Sequence, residues 1–274
     1  MNSYKLAICQ MKTSNNKTVN IQHAIEMIAE ASKNGADVVA LPEMFNCPYE
    51  NRFFKEFAEE YPGETSKALS KIALDCGVYL IGGSIPEFED GKIYNTSYVF
   101  DKSGILIGRH RKVHLFDIDV KGGVSFKESD TLSRGNDITV IDTEYGKIGV
   151  AICYDVRFPE LSRLMALKGA EIVILPAAFN MTTGPAHWEL SIRMRALDNQ
   201  IFFAGVSPAR DENASYISYA NSMVSDPWGR IIGAAGKDEN IIYVDIDRSL
   251  IGKIRQQLPL LNHRRTDLYK VGIL

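Results

Sequence analysis

Short apolar runs alternate along this chain with longer segments whose hydrophobic residues recur at helical spacing. That alternation restricts it to folds in which strands and covering helices share one core. Residues 4–10 read as a first strand. A helix is expected over 17–34, with Ile21, Ala24, Ile25, Ile28 and Ala31 on one stripe and Gly35 as its stop. The run "DVVALPE" at 37–43 reads as a short buried strand ended by Pro42. A second helix over 65–76 carries Ala68, Leu69, Ile72, Ala73 and Cys76 at helical spacing, and Gly77 closes it. "VYLIGGS" is the next strand. Two strand pairs are then joined by turn sequences instead of helices: 94–100 with 105–112 around "DKSG", and 138–142 with 147–153 around "TEYG". Helices at 159–168 and 187–199 flank the strand "EIVILP", and strands at 201–206, 220–225, 230–234 and 241–246 precede a short helix at 249–257. Hairpins mixed with helices point to two packed sheets with helices over their outer faces.

No internal repeat, low-complexity tract or linker-like shift divides the 274 residues, so a single domain over 1–274 is expected. A net charge of -3 and a pI near 6.0 give no electrostatic case for binding nucleic acid or an anionic membrane. The four cysteines (Cys9, Cys47, Cys76, Cys153) are too few and too irregularly spaced for a disulfide scaffold or a structural zinc site. The five histidines are scattered, so neither a metal nor another cofactor is expected. The first residues, "MNSYKLAICQMK", lack the basic start and long apolar stretch of a signal peptide. No apolar run approaches the ~18 residues of a membrane helix. A cytoplasmic protein with reduced thiols is the expectation.

Cys153 lies in "KIGVAICYDVRFPE", between an apolar strand and a helix whose first position is Pro159. A thiol on such a turn, near the positive end of a helix dipole, is expected to favour the thiolate. Taken alone it reads sooner as a small hydrophobe filling a core gap, as most free cysteines do. Glu43 follows the buried run "DVVALP", where a carboxylate must be paired, solvated or useful. Lys112 ends the hairpin strand "ILIGRHRK". Singly, Glu43 reads as a solvated strand end and Lys112 as one surface cation among several. Because sites in α/β sheets form outside the carboxyl ends of strands, the three form a possible set of base, cation and nucleophile.

The segments "ALPEMF", "GRHRKVHLFD" and "VAICYDVRFPE" resemble the three signature segments of the nitrilase superfamily, the carbon–nitrogen hydrolases, in the family's order. The resemblance spans about residues 4–270. It implies a four-layer α-β-β-α sandwich that pairs as a homodimer or higher homo-oligomer through helix faces. It maps the family's catalytic Glu, Lys and Cys onto Glu43, Lys112 and Cys153, and a supporting glutamate onto Glu128 in "SFKESDTLSRG". In that reading Glu43 is the general base and Cys153 the nucleophile, while Lys112 and the backbone N–H of Tyr154 hold the oxyanion. Within the family, "HLFDID", "AFNMTTGPAHWEL", "SPARDENASY" and "NCPY" are similar to the omega-amidase branch, which deaminates 2-oxoglutaramate and 2-oxosuccinamate. Such small amides carry a remote carboxylate, for which Arg157 is a candidate clamp, equally readable as a structural ion pair at a helix start, and Tyr49 a candidate hydroxyl donor, otherwise packing. Amidases of N-carbamoyl amino acids or of deaminated glutathione are the alternatives inside the family, and a thiol redox protein the alternative outside it.

Overall fold

The alternation resolves into two sheets packed face to face in the computed structural model, which describes residues 2–272. The first half of the chain supplies β1 (Ser3–Gln10), α1 (Lys17–Lys33), β2 (Val38–Ala40), α2 (Asn51–Phe57), α3 (Glu64–Cys76), β3 (Tyr79–Ile81), β4 (Ile85–Glu89), β5 (Lys92–Phe100) and β6 (Leu106–Arg111). Strands β1, β2 and β3 are parallel neighbours joined by helical crossovers. β5 extends the sheet antiparallel, with β3 and β4 along one edge and β6 along the other. A connecting stretch forms the small pair β7 (Asp117–Asp119) and β8 (Ser125–Lys127), and then β9 (Leu132–Ser133), which joins β5.

The second half comprises β10 (Thr139–Thr143), β11 (Gly146–Val150), α4 (Pro159–Leu167), β12 (Ile172–Pro176), α5 (Gly184–Asn199), β13 (Phe202–Val206), β14 (Met223–Ser225), β15 (Ile231–Ala234), β16 (Asn240–Asp247) and α6 (Ser249–Gln257). The six strands from β10 to β15 form the second sheet in chain order, and β11, β12 and β13 are parallel. β16 instead returns to the first sheet. It pairs antiparallel with all of β1, from Ser3 opposite Asp247 to Gln10 opposite Asn240.

Strand alternation explains the layers. Leu6 and Ile8 of β1, Val38 and Ala40 of β2, and Val99 of β5 meet Ile148, Val150, Ile172, Ile174, Phe202 and Ala204 between the sheets. The intervening residues Ala7, Val39 and Leu80 face outward, under Ala24 and Ile28 of α1 and Leu69 and Ile72 of α3. Val173 and Phe203 do the same under Leu161 and Met165 of α4 and Trp188 and Ile192 of α5. The result is an α-β-β-α sandwich.

Local chemistry sets the ends of these helices. Asn16 caps α1 by accepting from the Val19 N–H, and Gly77 closes α3 in the left-handed conformation. α5 starts at Gly184, three residues before its expected start, because Pro185 is well tolerated in a first turn. At Gly205 an added Cβ would lie 2.3 Å from Ile192 and 2.7 Å from Trp188, so the missing side chain lets α5 approach the sheet. No helix among the described residues is long and apolar enough to cross a membrane.

The strands are shorter than the apolar runs suggest. β2 ends at Ala40 and β11 at Val150, so Glu43 and Cys153 each lie three residues beyond a strand. Lys112 is one residue past β6, and its N–H still donates to the Asn95 carbonyl at 2.8 Å.

Candidate active site

Val99 faces the layer between the sheets, so the period-two rule turns Ser97 and Asn95 of β5 the same way. His110 lies opposite Ser97 on β6, and Lys112 continues that stripe. Asn95, Ser97, His110 and Lys112 are all fully buried. The apolar inter-sheet layer therefore becomes polar at one end, and Glu43 and Cys153 reach that end from the connections after β2 and β11. Met44 and Cys153 have positive φ (50° and 45°), an uncommon conformation for side-chain-bearing residues and one that marks a sharp change of chain direction.

Here the structure brings Glu43, Lys112, Glu128, Tyr49 and Cys153 together. The Lys112 ammonium donates to Glu43 Oε1 at 3.0 Å and to Glu128 Oε1 at 2.8 Å, with all three side chains completely buried. Asn95 Nδ2 also donates to Glu43 Oε1, at 2.8 Å, and the Ala178 N–H donates to Oε2 at 2.8 Å. Glu128 Oε2 accepts from the Phe116 N–H at 2.7 Å, and Oε1 from the Tyr49 hydroxyl. The Cys153 thiol lies beside the Glu43 carboxyl and feels its charge.

Charge and burial decide the protonation states. Burial opposes the Lys112 ammonium, but Glu128 and Glu43 outweigh it and hold the group well above the ordinary lysine range. Burial raises the Glu43 carboxyl, Lys112 pulls it back, and Glu128 pushes it up again; the net direction is upward. Cys153 is pushed well above the ordinary thiol range by burial and then by the Glu43 charge, with Lys112 opposing. This corrects the expected resting thiolate. A short 3-10 turn, Cys153–Arg157, intervenes before α4, and a buried carboxylate beside the sulfur outweighs any helix dipole. Burial and the Glu43 charge therefore favour the thiol over the thiolate at rest.

The Tyr154 N–H is one of the leading N–H groups of that turn, whose first internal bond runs from Asp155 N to Ile152 O at 3.0 Å. Such groups suit a developing oxyanion. Tyr49 is placed differently from its expected role as a free donor to a substrate carboxylate. Its hydroxyl donates to Glu128 and lies 3.3 Å from Lys112 Nζ, so it belongs to the charge network. A cleft of about 700 Å³ reaches Glu43, Tyr49, Ala178 and Tyr216. Cys153, Lys112, Glu128 and Arg157 lie outside its lining. The Arg157 guanidinium lies over the rings of Phe179 (4.9 Å) and Tyr154 (5.7 Å) and 3.1 Å from His187 Nδ1. Among the described residues it has no carboxylate partner within 4.0 Å.

Several neighbours escaped the sequence reading. Asn95 and Ala178 orient Glu43 from a strand and a loop distant in the chain. Tyr216 packs on Tyr49 at 4.6 Å between centroids, and its hydroxyl donates to the Ala178 carbonyl at 2.6 Å. His110 and His114 both contact Asp155. The one available signal was their symmetrical placement, two residues on either side of Lys112.

Comparison with known proteins places the chain in a family. A profile of the carbon-nitrogen hydrolase family matches residues 5–256. The omega-amidase NIT2 of Xenopus tropicalis is 51% identical over 271 residues, covering 99% of this chain and 98% of that protein. The Homo sapiens omega-amidase NIT2 is 49% identical with the same coverage. Among solved structures, Saccharomyces cerevisiae Nit3, a member of branch 10 of the nitrilase superfamily, superposes with a TM-score of 0.89 at 44% identity, covering 96% of this chain and 97% of that one. The C. elegans NitFhit protein gives a TM-score of 0.91 at 31% identity, covering 100% of this chain and 68% of that one.

Proposed function

The chain belongs to the carbon–nitrogen hydrolase family, in its omega-amidase branch, and from that premise we propose that this single domain over 1–274 releases ammonia from a small carboxylate-bearing amide such as 2-oxoglutaramate or 2-oxosuccinamate. The observation that carries the reading is the buried Lys112 ammonium shared by Glu43 and Glu128 beside the Cys153 thiol.

Because the sulfur rests protonated, its attack on the amide carbon is coupled to proton transfer to Glu43. The new C–S bond forms as the carbonyl π pair moves onto oxygen. An ammonium has three N–H donors. Two of those on Lys112 serve Glu43 and Glu128; the third faces Tyr49 across 3.3 Å, the longest of its contacts, and is the one assigned to the oxyanion together with the Tyr154 N–H. Glu43 then gives its proton to the amide nitrogen and the C–N bond breaks, releasing ammonia and leaving a thioester. Water attacks this thioester as Glu43 removes its proton. The same proton returns to sulfur as the acid departs, so the sum is amide plus water to acid plus ammonia. A peroxide-reactive cysteine gives Glu43 and Lys112 no task, whereas acyl transfer uses both.

Arg157, which has no carboxylate partner among the described residues and lies on the nucleophile turn, is assigned to the remote carboxylate of the substrate. Leu190, Met194 and Leu197 form an exposed stripe on α5 (65, 42 and 37% accessible), which supports assembly as a homodimer through that helix, to be read by sedimentation equilibrium. All four cysteines are free, in keeping with a reducing cytoplasm.

The test is ammonia release from 2-oxoglutaramate, glutamine and an N-carbamoyl amino acid under one condition. 2-oxoglutaramate should be turned over with the highest kcat/KM; a preference for either other amide sinks the assignment. Arg157→Ala should raise KM for 2-oxoglutaramate by about tenfold or more, the value of one charge-assisted contact, with kcat little changed. An unchanged KM removes Arg157 from the substrate site.

A further inference from the structure

We infer that Asp155 is a positioning residue that locks the nucleophile turn to the lysine-bearing segment, so that the Tyr154 N–H and the Lys112 ammonium meet one oxygen. The inference rests on the amidase reading. Asp155 lies two residues after Cys153, and its side chain is fully buried. Four N–H groups converge on its carboxylate. Oδ2 accepts from the Ile152 N–H at 3.0 Å and faces His110 Nε2 at 3.2 Å. Oδ1 accepts from the His114 N–H at 2.9 Å and faces His114 Nδ1 at 2.8 Å. The first of these bonds closes the turn on itself; the other three cross to the segment that carries Lys112.

The crossing is anchored on both sides. His110 and His114 sit two residues before and after Lys112, so the lysine is held between two points fixed to one carboxylate. His110 Nδ1 lies 3.0 Å from the Thr139 hydroxyl, which ties the ring to β10 as well. The His114 ring stacks on Phe158, at the far end of the nucleophile turn, with centroids 3.6 Å apart and planes within 8°. Burial works against the Asp155 charge, but bonds and charges from His110 and His114, with the Ile152 N–H, hold its carboxyl below the usual carboxylate range. It thus keeps four acceptor positions at any pH where the enzyme works. A charged group so buried and so fully satisfied is rigid, and rigidity between two oxyanion donors is what transition-state stabilisation requires. Neither Asp155 nor the two histidines needs to touch the substrate.

The experiment is steady-state ammonia release by Asp155→Asn in the full chain, beside the wild type. The amide keeps the shape but cannot accept from all four donors. We expect kcat to fall about 100-fold, the cost of about 1 Å of misplacement, with KM within about threefold of wild type. A kcat within about threefold of wild type, or a loss carried entirely by KM, overturns the inference. If Asp155→Asn does not fold, His110→Gln and His110→Leu decide. Gln can still donate to Asp155 and should hold kcat within about threefold, whereas Leu should lower it about tenfold at unchanged KM. Equal effects of the two overturns the inference. Wild-type activity separates the readings: a wild type that hydrolyses no amide sinks the proposed function, whereas a wild type matched by Asp155→Asn sinks only the positioning role.

Discussion

Cys153→Ala should release no ammonia above background from an amide that the wild type hydrolyses. The thiol forms the only covalent bond assigned between protein and acyl group, and deleting a nucleophile from a coupled set costs on the order of 10⁶ in kcat. Lys112 and the Tyr154 N–H would still polarise a carbonyl, but nothing would attack it. Since the side chain is 4% exposed and small, the change leaves the surrounding charge network in place. Intact mass after a turnover quench gives an independent readout: wild type should carry the acyl fragment and Cys153→Ala should not. A variant that keeps even about one per cent of wild-type turnover contradicts the nucleophile assignment.

Lys112→Met should damage both stability and rate. The cation lies between two carboxylates that are themselves completely buried, and removing it leaves their charges facing each other in a dry layer. Breaking a buried pair in this way costs about 3–5 kcal/mol, visible as a lower urea midpoint at unchanged m. The sign with pH follows from the raised Lys112 value. Its stabilising contribution is complete below the ordinary lysine value of 10.5 and is lost only as pH rises through the higher folded value, so the deficit of Lys112→Met should persist across neutral pH. Glu43 must be ionised to act as base, and its raised value puts the acid limb of kcat/KM above the ordinary carboxylate value of 4.5. Lys112 is what lowers Glu43, so Lys112→Met should move that limb higher still, while losing about 10²–10³ in kcat with the oxyanion donor. Adding Glu128→Gln should restore part of the stability and none of the rate. A single variant with the wild-type midpoint and acid limb would contradict this electrostatic account.

What could be read beforehand was what periodicity encodes. The helix at 249–257 is found at its expected bounds, and α1 and α3 begin and end within a residue of expectation, because their stripes and stops are local signals. α2 is a seven-residue helix without a side-chain cap, and its Phe53, Phe54 and Phe57 pack into a separate cluster, so nothing local announced it. β4 contains Pro86, which reads against a strand and is tolerated here opposite Asn95. At the site, Glu43, Lys112 and Cys153 were legible because strand ends are where α/β sites form. The contacts that hold them, Asn95 and Ala178 to Glu43 and His110 and His114 to Asp155, span 52, 135, 45 and 41 positions of sequence, which no spacing rule connects. The thiolate expectation failed for a related reason: a dipole can be read from neighbours in the chain, but a carboxylate from another loop cannot.

The pairing of β1 with β16 has a consequence during synthesis. A ribosome makes the eight-residue strand β1 long before β16, its antiparallel partner. Until residues 240–247 are available, one edge of a strand carrying Leu6, Ile8 and Cys9 remains open to pairing with another chain. Nascent or truncated products ending before β16 are therefore expected to aggregate more readily than chains that include it.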